Sequence, residues 1–159
     1  MNFLIDSHEK LKITDEEIFD LLFEVYVQGG FVSADVAESV FNPLSVKTRG
    51  ILFAARELET KEFAGMVVLV PPGSGMIVRA KENECEVHLL GVKTKFRGVG
   101  LGRELVSKVI ETAEQNEWSK IVLWTQKPMV EAQHLYESLG FTRKGEMVKN
   151  EIVFWVYER

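Results

Sequence analysis

A cluster of alternate glycines stands where a long amphipathic segment begins. In the run KFRGVGLGREL, Gly98, Gly100 and Gly102 precede that segment, although glycine costs about 1 kcal/mol relative to alanine inside a helix. The cluster therefore indicates either a sharp turn or the close approach of another group to the backbone. A helix N-terminus presents unpaired N–H groups that bind anions, and Arg97 and Arg103 add positive charge. The run is a candidate phosphate cradle, and a tight turn without a ligand is the alternative.

Two common phosphate-binding motifs do not fit this run. A Walker loop requires a Gly-Lys-Ser/Thr sequence, which does not follow the glycines. The dinucleotide fingerprint GxGxxG requires a third glycine at the position of Arg103. The run therefore favours neither of these two nucleotide-binding classes.

A second group of candidate residues lies on the strand-like run ECEVHLLGV. Strict alternation along a strand places Glu86, His88 and Leu90 on one face. A charged carboxylate inside an interior strand is costly unless it is paired, so a cleft at this position would explain both polar side chains. The alternative is a salt-bridged Glu86 and a hydrogen-bonded, structural His88. Gly91 in mid-strand is typical of a bulge or of another chain approaching closely.

The elements before these residues follow from hydrophobic periodicity. The run TDEEIFDLLFEVYVQGG begins with a capping box at Thr14 and Glu17 and continues at helical spacing. A second short helix is predicted in FVSADVAESVFNP, ending at Asn42-Pro43. GILFAARE and EFAGMVVLV predict a β-hairpin, and MIVRAKENE predicts a loop with a short strand or an irregular edge.

The elements after the glycines are two helices and three strands. An amphipathic helix follows them directly, and the apolar run SKIVLWT predicts a buried strand. A second helix is predicted from about Pro128 to Leu139, followed by the closing strands FTRKGEMV and EIVFWVYER. Because two strands flank the first of these helices, we predict a parallel pair with a right-handed crossover. The whole is a mixed α/β sheet with helices on both faces.

Composition narrows the class of protein and of partner. The chain has 159 residues, 46% hydrophobic and 27% charged, which suits one domain over residues 1–159. The net charge of −5 argues against nucleic acid and membrane surfaces as partners. A single cysteine, Cys85, and three scattered histidines indicate no disulfide and no metal site. The opening MNFLIDSHEKLK lacks a basic start and a long apolar core, so we expect no signal peptide and a cytoplasmic location.

Two motifs in sequence, RGVGLG and then AQHLYESLGF, resemble the GNAT superfamily of acyl-CoA-dependent N-acetyltransferases. The first meets the pyrophosphate-binding signature of that family, which is Arg or Gln, any two residues, Gly, any residue, and Gly or Ala. With the strand before them, the motifs cover Cys85 to Phe141. The resemblance implies a GNAT-like fold, with a mixed, mostly antiparallel twisted sheet, helices on both faces and a parallel pair of strands splayed apart at the centre.

The resemblance also implies acetyl-CoA as cosubstrate, with no metal. The pantetheine arm would run along Leu90 and Val92, where the two parallel strands part. The pyrophosphate would lie on the backbone amides of the cradle residues, which are Arg97, Gly98, Val99, Gly100, Leu101, Gly102 and Arg103.

Acyl transfer to an amine needs a proton acceptor, donors for the oxyanion and a proton for the leaving thiolate. The resemblance implies Glu86 as the base, acting through water, with His88 as the next candidate and bulk water left open. The backbone N–H of Leu90 would be the oxyanion donor. Tyr136 matches the family's general acid, although its place in the apolar stripe of the last helix also suits simple packing. Met129 departs from the family, since many members have at this position an asparagine that binds the pantetheine.

The predicted function is an N-acetyltransferase that moves an acetyl group from acetyl-CoA to a primary amine by direct transfer in a ternary complex. The acceptor is a small molecule or a protein; Asp35 and Glu38 would suit a cationic amine and are equally explained as solvated helix residues. The alternative is a non-catalytic acyl-CoA-binding sensor or interaction module, which would tolerate the loss of Glu86 and Tyr136. A homodimer through EIVFWVYER is also predicted, although the core explains the same apolar pattern.

Overall fold

A seven-stranded mixed sheet forms the framework of the protein, which the computed structural model describes over residues 1–159. The strands are β1 Phe3–Ser7, β2 Ile51–Glu57, β3 Phe63–Val70, β4 Glu84–Val92, β5 Lys120–Gln126, β6 Thr142–Lys149 and β7 Ile152–Glu158. Their order is β1-β2-β3-β4-β5-β7-β6, and only β4 and β5 are parallel neighbours. The predicted parallel pair and the mixed α/β class are therefore confirmed. β7, the predicted dimer strand, is paired on both sides and has no free edge.

Five α-helices cover the sheet. They are α1 Asp15–Leu22, α2 Ala37–Val40, α3 Pro43–Thr48, α4 Leu101–Gln115 and α5 Val130–Ser138. The predicted capping box begins α1, where the Glu17 N–H donates to Thr14 Oγ1 at 3.1 Å and the Thr14 N–H donates to Glu17 Oε2 at 2.9 Å. None of the helices combines the length and the apolar character that crossing a membrane requires.

Helices lie on both faces of the sheet, as expected. Alternate residues of β3 belong to different apolar clusters: Val67 and Leu69 pack in the cluster of α4, and Met66 and Val68 pack in the cluster of α1. Because both faces of the central strands are covered, β3 reads as a continuous apolar run rather than an alternating one.

Several local elements differ from the expectations. FLIDS forms β1 at the sheet edge, a strand that was not predicted from the sequence. The short helix α2 ends just before Asn42-Pro43, as expected. The same pair also begins a further helix, α3: Asn42 Oδ1 accepts from the Ser45 N–H at 3.2 Å and Pro43 occupies the first turn. The first helix continues past Leu22 into a π-helical turn, Phe23–Gln28, a feature often found at functional sites. MIVRAKENE forms a loop without a strand of its own, and its last residue, Glu84, begins β4.

The sheet opens at its centre, where β4 separates from β5 and its pairing with β3 is interrupted by an irregularity. Its pairing with β5 covers only Glu84–Glu86. On the other side, Leu89 and Leu90 together face one residue of β3, and Leu89 has a φ of +53°. This is a β-bulge. Gly91 is not part of it, since it pairs in register with Met66; an added Cβ on Gly91 would lie 3.4 Å from Val25 Cγ2 in the π-helical turn.

The bulge reverses the alternation of β4. Leu90 packs with Cys85 and Val87 in the cluster of α4, whereas Leu89 packs in the cluster of α1. The expectation that Leu90 shares a face with Glu86 and His88 was therefore wrong, because the extra residue of a bulge shifts the two-residue period by one.

Candidate active site

Two adjoining cavities lie where β4 and β5 separate. The larger, of about 1150 Å³, is lined by residues 87–90 of β4 and 124–126 of β5, together with parts of the π-helical turn and α5. The smaller, of about 420 Å³, is lined by residues 90–92 and by the glycine-rich loop. Leu90 and Arg97 line both cavities. The two cavities therefore form one cleft, and the bulge lies where they join.

The glycine-rich loop presents unpaired N–H groups to the smaller cavity. The N–H groups of residues 98–103 donate to no carbonyl, and the first bond of α4 runs from the Glu104 N–H to the Gly100 carbonyl at 3.1 Å. Gly98 and Gly100 have φ values of +76° and +92°, which residues with a side chain rarely adopt. At these two positions the turn itself requires glycine, and the turn leaves the amides free.

Gly102 has a different reason to be glycine. An added Cβ there would lie 3.3 Å from Leu135 Cδ2 of α5, which is tighter than ordinary van der Waals contact. The two helices thus approach each other at the rim of the smaller cavity. Both explanations offered for the glycine cluster hold, at different positions.

Two arginines flank the free amides. Arg97 Nε donates to the Val92 carbonyl at 3.1 Å, and Arg103 Nη2 donates to the Ser138 hydroxyl at 2.7 Å. Both side chains line the smaller cavity. Val99 is 47% exposed and lines neither cavity, so only its backbone can contribute. The loop therefore combines backbone donors with fixed positive charge, which suits a phosphate group.

Glu86 is a fully buried carboxylate that lines neither cavity. It accepts hydrogen bonds from the backbone N–H groups of residues 78–80 at 2.5–3.1 Å and lies 2.9 Å from His88 Nε2. Burial raises the pKa of a carboxyl group, but the bonds from His88 and from this loop outweigh it and lower the pKa of Glu86. A carboxylate stabilised as an anion in this way is a weak base.

His88 lies between Glu86 and the larger cavity, which it lines. Its Nε2 contacts Glu86 Oε1 at 2.9 Å and its Nδ1 contacts Arg49 Nη1 at 3.4 Å. An arginine only donates and a carboxylate only accepts, so the neutral ring that satisfies both contacts carries its proton on Nε2. The ring also packs edge-on against Trp124, with centroids 5.2 Å apart. Its orientation is thus held from three sides.

Two tyrosines line the larger cavity. Tyr136 of α5 lines the larger cavity and is 5% exposed, and burial raises the pKa of its hydroxyl. Tyr26, in the π-helical turn, donates its hydroxyl proton to the Leu90 carbonyl at 2.9 Å, and burial raises its pKa as well. Both phenols therefore remain protonated at neutral pH. Tyr26 was not predicted as a site residue from the sequence, because it lies in an ordinary apolar helical pattern.

Other residues of the cleft were also missed or misplaced by sequence reasoning. Arg49, at the end of α3, lines the larger cavity, and no motif marks it. Asp35 and Glu38, considered as partners of a cationic amine, line neither cavity. Their apolar neighbours Val36 and Val40 line the larger one instead. The acidic pair therefore does not shape this cleft.

Comparison with known families and proteins agrees with this geometry. Residues 16–141 match the model of the acetyltransferase (GNAT) family. An uncharacterized N-acetyltransferase of Schizosaccharomyces pombe is 29% identical over 150 residues, covering 91% of this chain and 87% of that protein. The N-acetylaspartate synthetase of Danio rerio is 43% identical over 68 residues, covering 43% of this chain and only 24% of that protein. The chain thus matches about a quarter of the length of such synthetases.

Solved structures share the fold. A GNAT-family acetyltransferase of Staphylococcus aureus superposes with a TM-score of 0.77 at 17% identity, covering 99% of this chain and 98% of that one. A GNAT-family acetyltransferase of Elizabethkingia anophelis with acetyl-CoA bound has a TM-score of 0.70 at 20% identity, covering 99% and 97%. The architecture described above is therefore that of known acetyltransferase structures.

Proposed function

Because the chain belongs to the GNAT acetyltransferase family, we propose that it transfers an acetyl group from acetyl-CoA to a primary amine, directly, in a ternary complex. The observation that carries the proposal is the continuous cleft across the bulge. Free backbone N–H groups of residues 98–103 line one end, and His88 lines the other.

The smaller cavity suits the coenzyme. Its free N–H groups at the start of α4, with Arg97 and Arg103, provide donors and positive charge for a pyrophosphate. Beyond Glu86 the edge of β4 is not paired with β5. The amide groups of a pantetheine arm can pair with such an edge as an added strand would, beside Leu90 and Val92.

Proton removal from the acceptor is assigned to His88. An alkylammonium group has a pKa near ~10.4, so its nitrogen must lose a proton before it attacks the thioester carbonyl carbon. His88 lines the cavity, and Glu86, 2.9 Å from Nε2, would stabilise the imidazolium that forms. Glu86 then acts as an orienting anion, because its lowered pKa and its bonds to the loop make it a poor proton acceptor.

The remaining steps involve the bulge and the two tyrosines. The attack places negative charge on the carbonyl oxygen of the thioester, and the Leu90 N–H is the proposed donor to that oxygen. The Tyr26 hydroxyl donates to the backbone carbonyl of Leu90 at 2.9 Å and so positions this peptide segment. When the carbon–sulfur bond breaks, the leaving thiolate takes the proton of the Tyr136 hydroxyl. The raised pKa of Tyr136 keeps that proton in place until it is needed. The attacking nitrogen loses its second proton to the Tyr136 oxygen, which restores the phenol, and the proton held by His88 returns to solvent.

Direct transfer is favoured over an acyl-enzyme intermediate. Cys85 is the only cysteine of the chain. It is fully buried in the α4 cluster, and burial raises the pKa of its thiol to about 12. A thiol in that environment is not a nucleophile at neutral pH.

Calorimetric titration with acetyl-CoA and with free CoA tests the coenzyme site. Wild-type protein should bind both, and Gly100→Glu should lose binding because it introduces a carboxylate among the anion-binding amides. Gly75→Glu, in an open part of the 71–83 loop with no atom within 4 Å of an added Cβ, is the control and should bind normally. Unchanged affinity in a folded Gly100→Glu variant would refute the cradle.

A free-thiol assay distinguishes the enzyme from the alternative, a non-catalytic acyl-CoA sensor. The assay follows CoA release with a panel of amines. L-aspartate is included because part of the chain is similar to N-acetylaspartate synthetases. If the protein binds acetyl-CoA but no amine of the panel causes release of free CoA, the result would favour the sensor.

A further inference from the structure

Arg49 carries a buried donor that nothing in the protein satisfies. Its Nε is buried without a hydrogen-bond acceptor, and its Nη1 reaches only His88 Nδ1, at 3.4 Å. No carboxylate forms an ion pair with it, and burial lowers the pKa of the guanidinium. The Arg49 side chain is half-buried as a whole, but buried polar atoms such as its Nε are almost always hydrogen-bonded. An arginine in this state, lining a cavity, indicates a site for an anion.

The charge around the larger cavity has the opposite sign to that of the whole molecule. The chain carries a net charge of −5. The cavity, however, is lined by Arg49, Arg97 and Lys149 against one carboxylate, Glu131. Both Arg97 and Glu131 also line the smaller cavity, so Arg49 and Lys149 remain on the side away from the coenzyme. A polyamine would meet no free carboxylate there.

The remaining wall of the larger cavity is predominantly apolar. Nineteen of its 30 lining residues are hydrophobic. They include the aromatic residues Phe31, Phe41, Trp124 and Phe154. A ligand that fills this space therefore combines an apolar body with one anionic group.

We propose that Arg49 binds a carboxylate of the acceptor, so that the substrates are amino acids with an apolar side chain. This rests on the proposed function and specifies its acceptor class. In an amino acid the carboxylate and the ammonium group share one carbon, so a carboxylate on Arg49 brings the ammonium close to His88. As the guanidinium turns to the carboxylate, Nη1 leaves His88 Nδ1. That nitrogen can then take the ammonium proton.

Matched acceptors measure the effect. L-phenylalanine, L-phenylalaninamide and phenethylamine share the ring and the amine, and only the first has a carboxylate. Wild-type protein should favour L-phenylalanine over its amide in kcat/KM by about tenfold to a hundredfold, the range for a hydrogen bond to a charged group. Arg49→Met should abolish this preference, and Arg49→Lys should keep part of it because the charge remains.

The control is Lys47→Met. Lys47 lies in the same helix, pairs with Asp15 at 2.6 Å and lines neither cavity, so the variant should keep the wild-type preference. Comparing the acid-to-amide ratio between proteins cancels the intrinsic reactivity of the two amines. An equal ratio in Arg49→Met and wild type would overturn the proposal, while acetylation of phenethylamine would leave the acetyltransferase assignment intact.

A binding experiment keeps the proposal testable if turnover fails. N-acetyl-L-phenylalanine and its amide are titrated into wild-type, Arg49→Met and Arg49→Lys protein, with and without CoA. Binding of the acid that depends on Arg49 supports the proposal, and equal binding of both probes, or none, overturns it. Absence of acetyl-CoA binding refutes the proposed function separately. Arg49-dependent preference for L-aspartate over L-phenylalanine would support the carboxylate site and overturn the apolar side-chain requirement.

Discussion

Replacing Glu86 with glutamine should destabilise the protein by a specific conflict of hydrogen bonds. Arg49 donates to His88 Nδ1, and His88 Nε2–H donates to Glu86 Oε1. A glutamine oxygen can retain the bonds from the 78–80 loop, but its NH2 group then faces His88 Nε2–H. Donor would meet donor, and the other tautomer of His88 would place Nδ1–H against Arg49. One buried polar contact therefore stays unsatisfied in either tautomer.

The magnitude follows from that contact. A buried donor left without a partner costs about 1–3 kcal/mol, and the bonds from the loop weaken when their acceptor loses its charge. Removing the desolvation cost of the carboxylate offsets part of this. We expect Glu86→Gln to lower the free energy of unfolding by about 2 kcal/mol at pH 7.

The difference should depend on pH in a defined direction. The folded pKa of Glu86 is lowered, below the value near ~4.3 of an unfolded chain. Its stabilising contribution is therefore fully present above the unfolded pKa and is lost as the pH falls through the folded pKa. The stability gap between wild type and variant should therefore narrow as the pH falls below about 4.

Urea unfolding followed by tryptophan fluorescence at several pH values measures the gap. Glu82→Gln, which removes an exposed carboxylate of the same loop region, is the matched control and should change stability by less than about 0.5 kcal/mol. A gap below that value at pH 7, or one that persists unchanged to pH 3, would refute the hydrogen-bond network as the source of the stability.

Two further predictions concern the tyrosines. Tyr136→Phe should lower kcat by about a hundredfold, within the range for loss of a general acid. The affinity for acetyl-CoA, measured by calorimetry, should not change. An unaltered kcat would show that Tyr136 takes no part in the chemistry. Tyr26→Phe removes the hydrogen bond to the Leu90 carbonyl and should lower kcat by roughly tenfold, less than the loss of an oxyanion donor itself. The KM for acetyl-CoA should be unchanged. An effect confined to KM would contradict this positioning role.

Local signals in the sequence determined most of the architecture. The capping box of Thr14 and Glu17 predicted the start of α1, the apolar runs predicted the β2–β3 hairpin, and two strands around a helix predicted the parallel β4 and β5. The glycine motif and the LYESLGF run predicted the family. These signals depend on residues close in the chain, where capping, periodicity and turn chemistry act directly.

The tertiary structure alone decided the environment of the candidate site. The sequence placed Glu86 and His88 together, but only packing supplies the N–H groups of the 78–80 loop that lower the pKa of Glu86. Arg49 meets His88 across 39 positions of the chain, and Tyr26 meets Leu90 across 64. The bulge at Leu89 reverses an alternation that assumes a regular strand. The contacts of Arg49 and Tyr26 depend on how distant segments pack, and the loop bonds and the bulge depend on the path of the backbone, so no pattern of residue types encodes them.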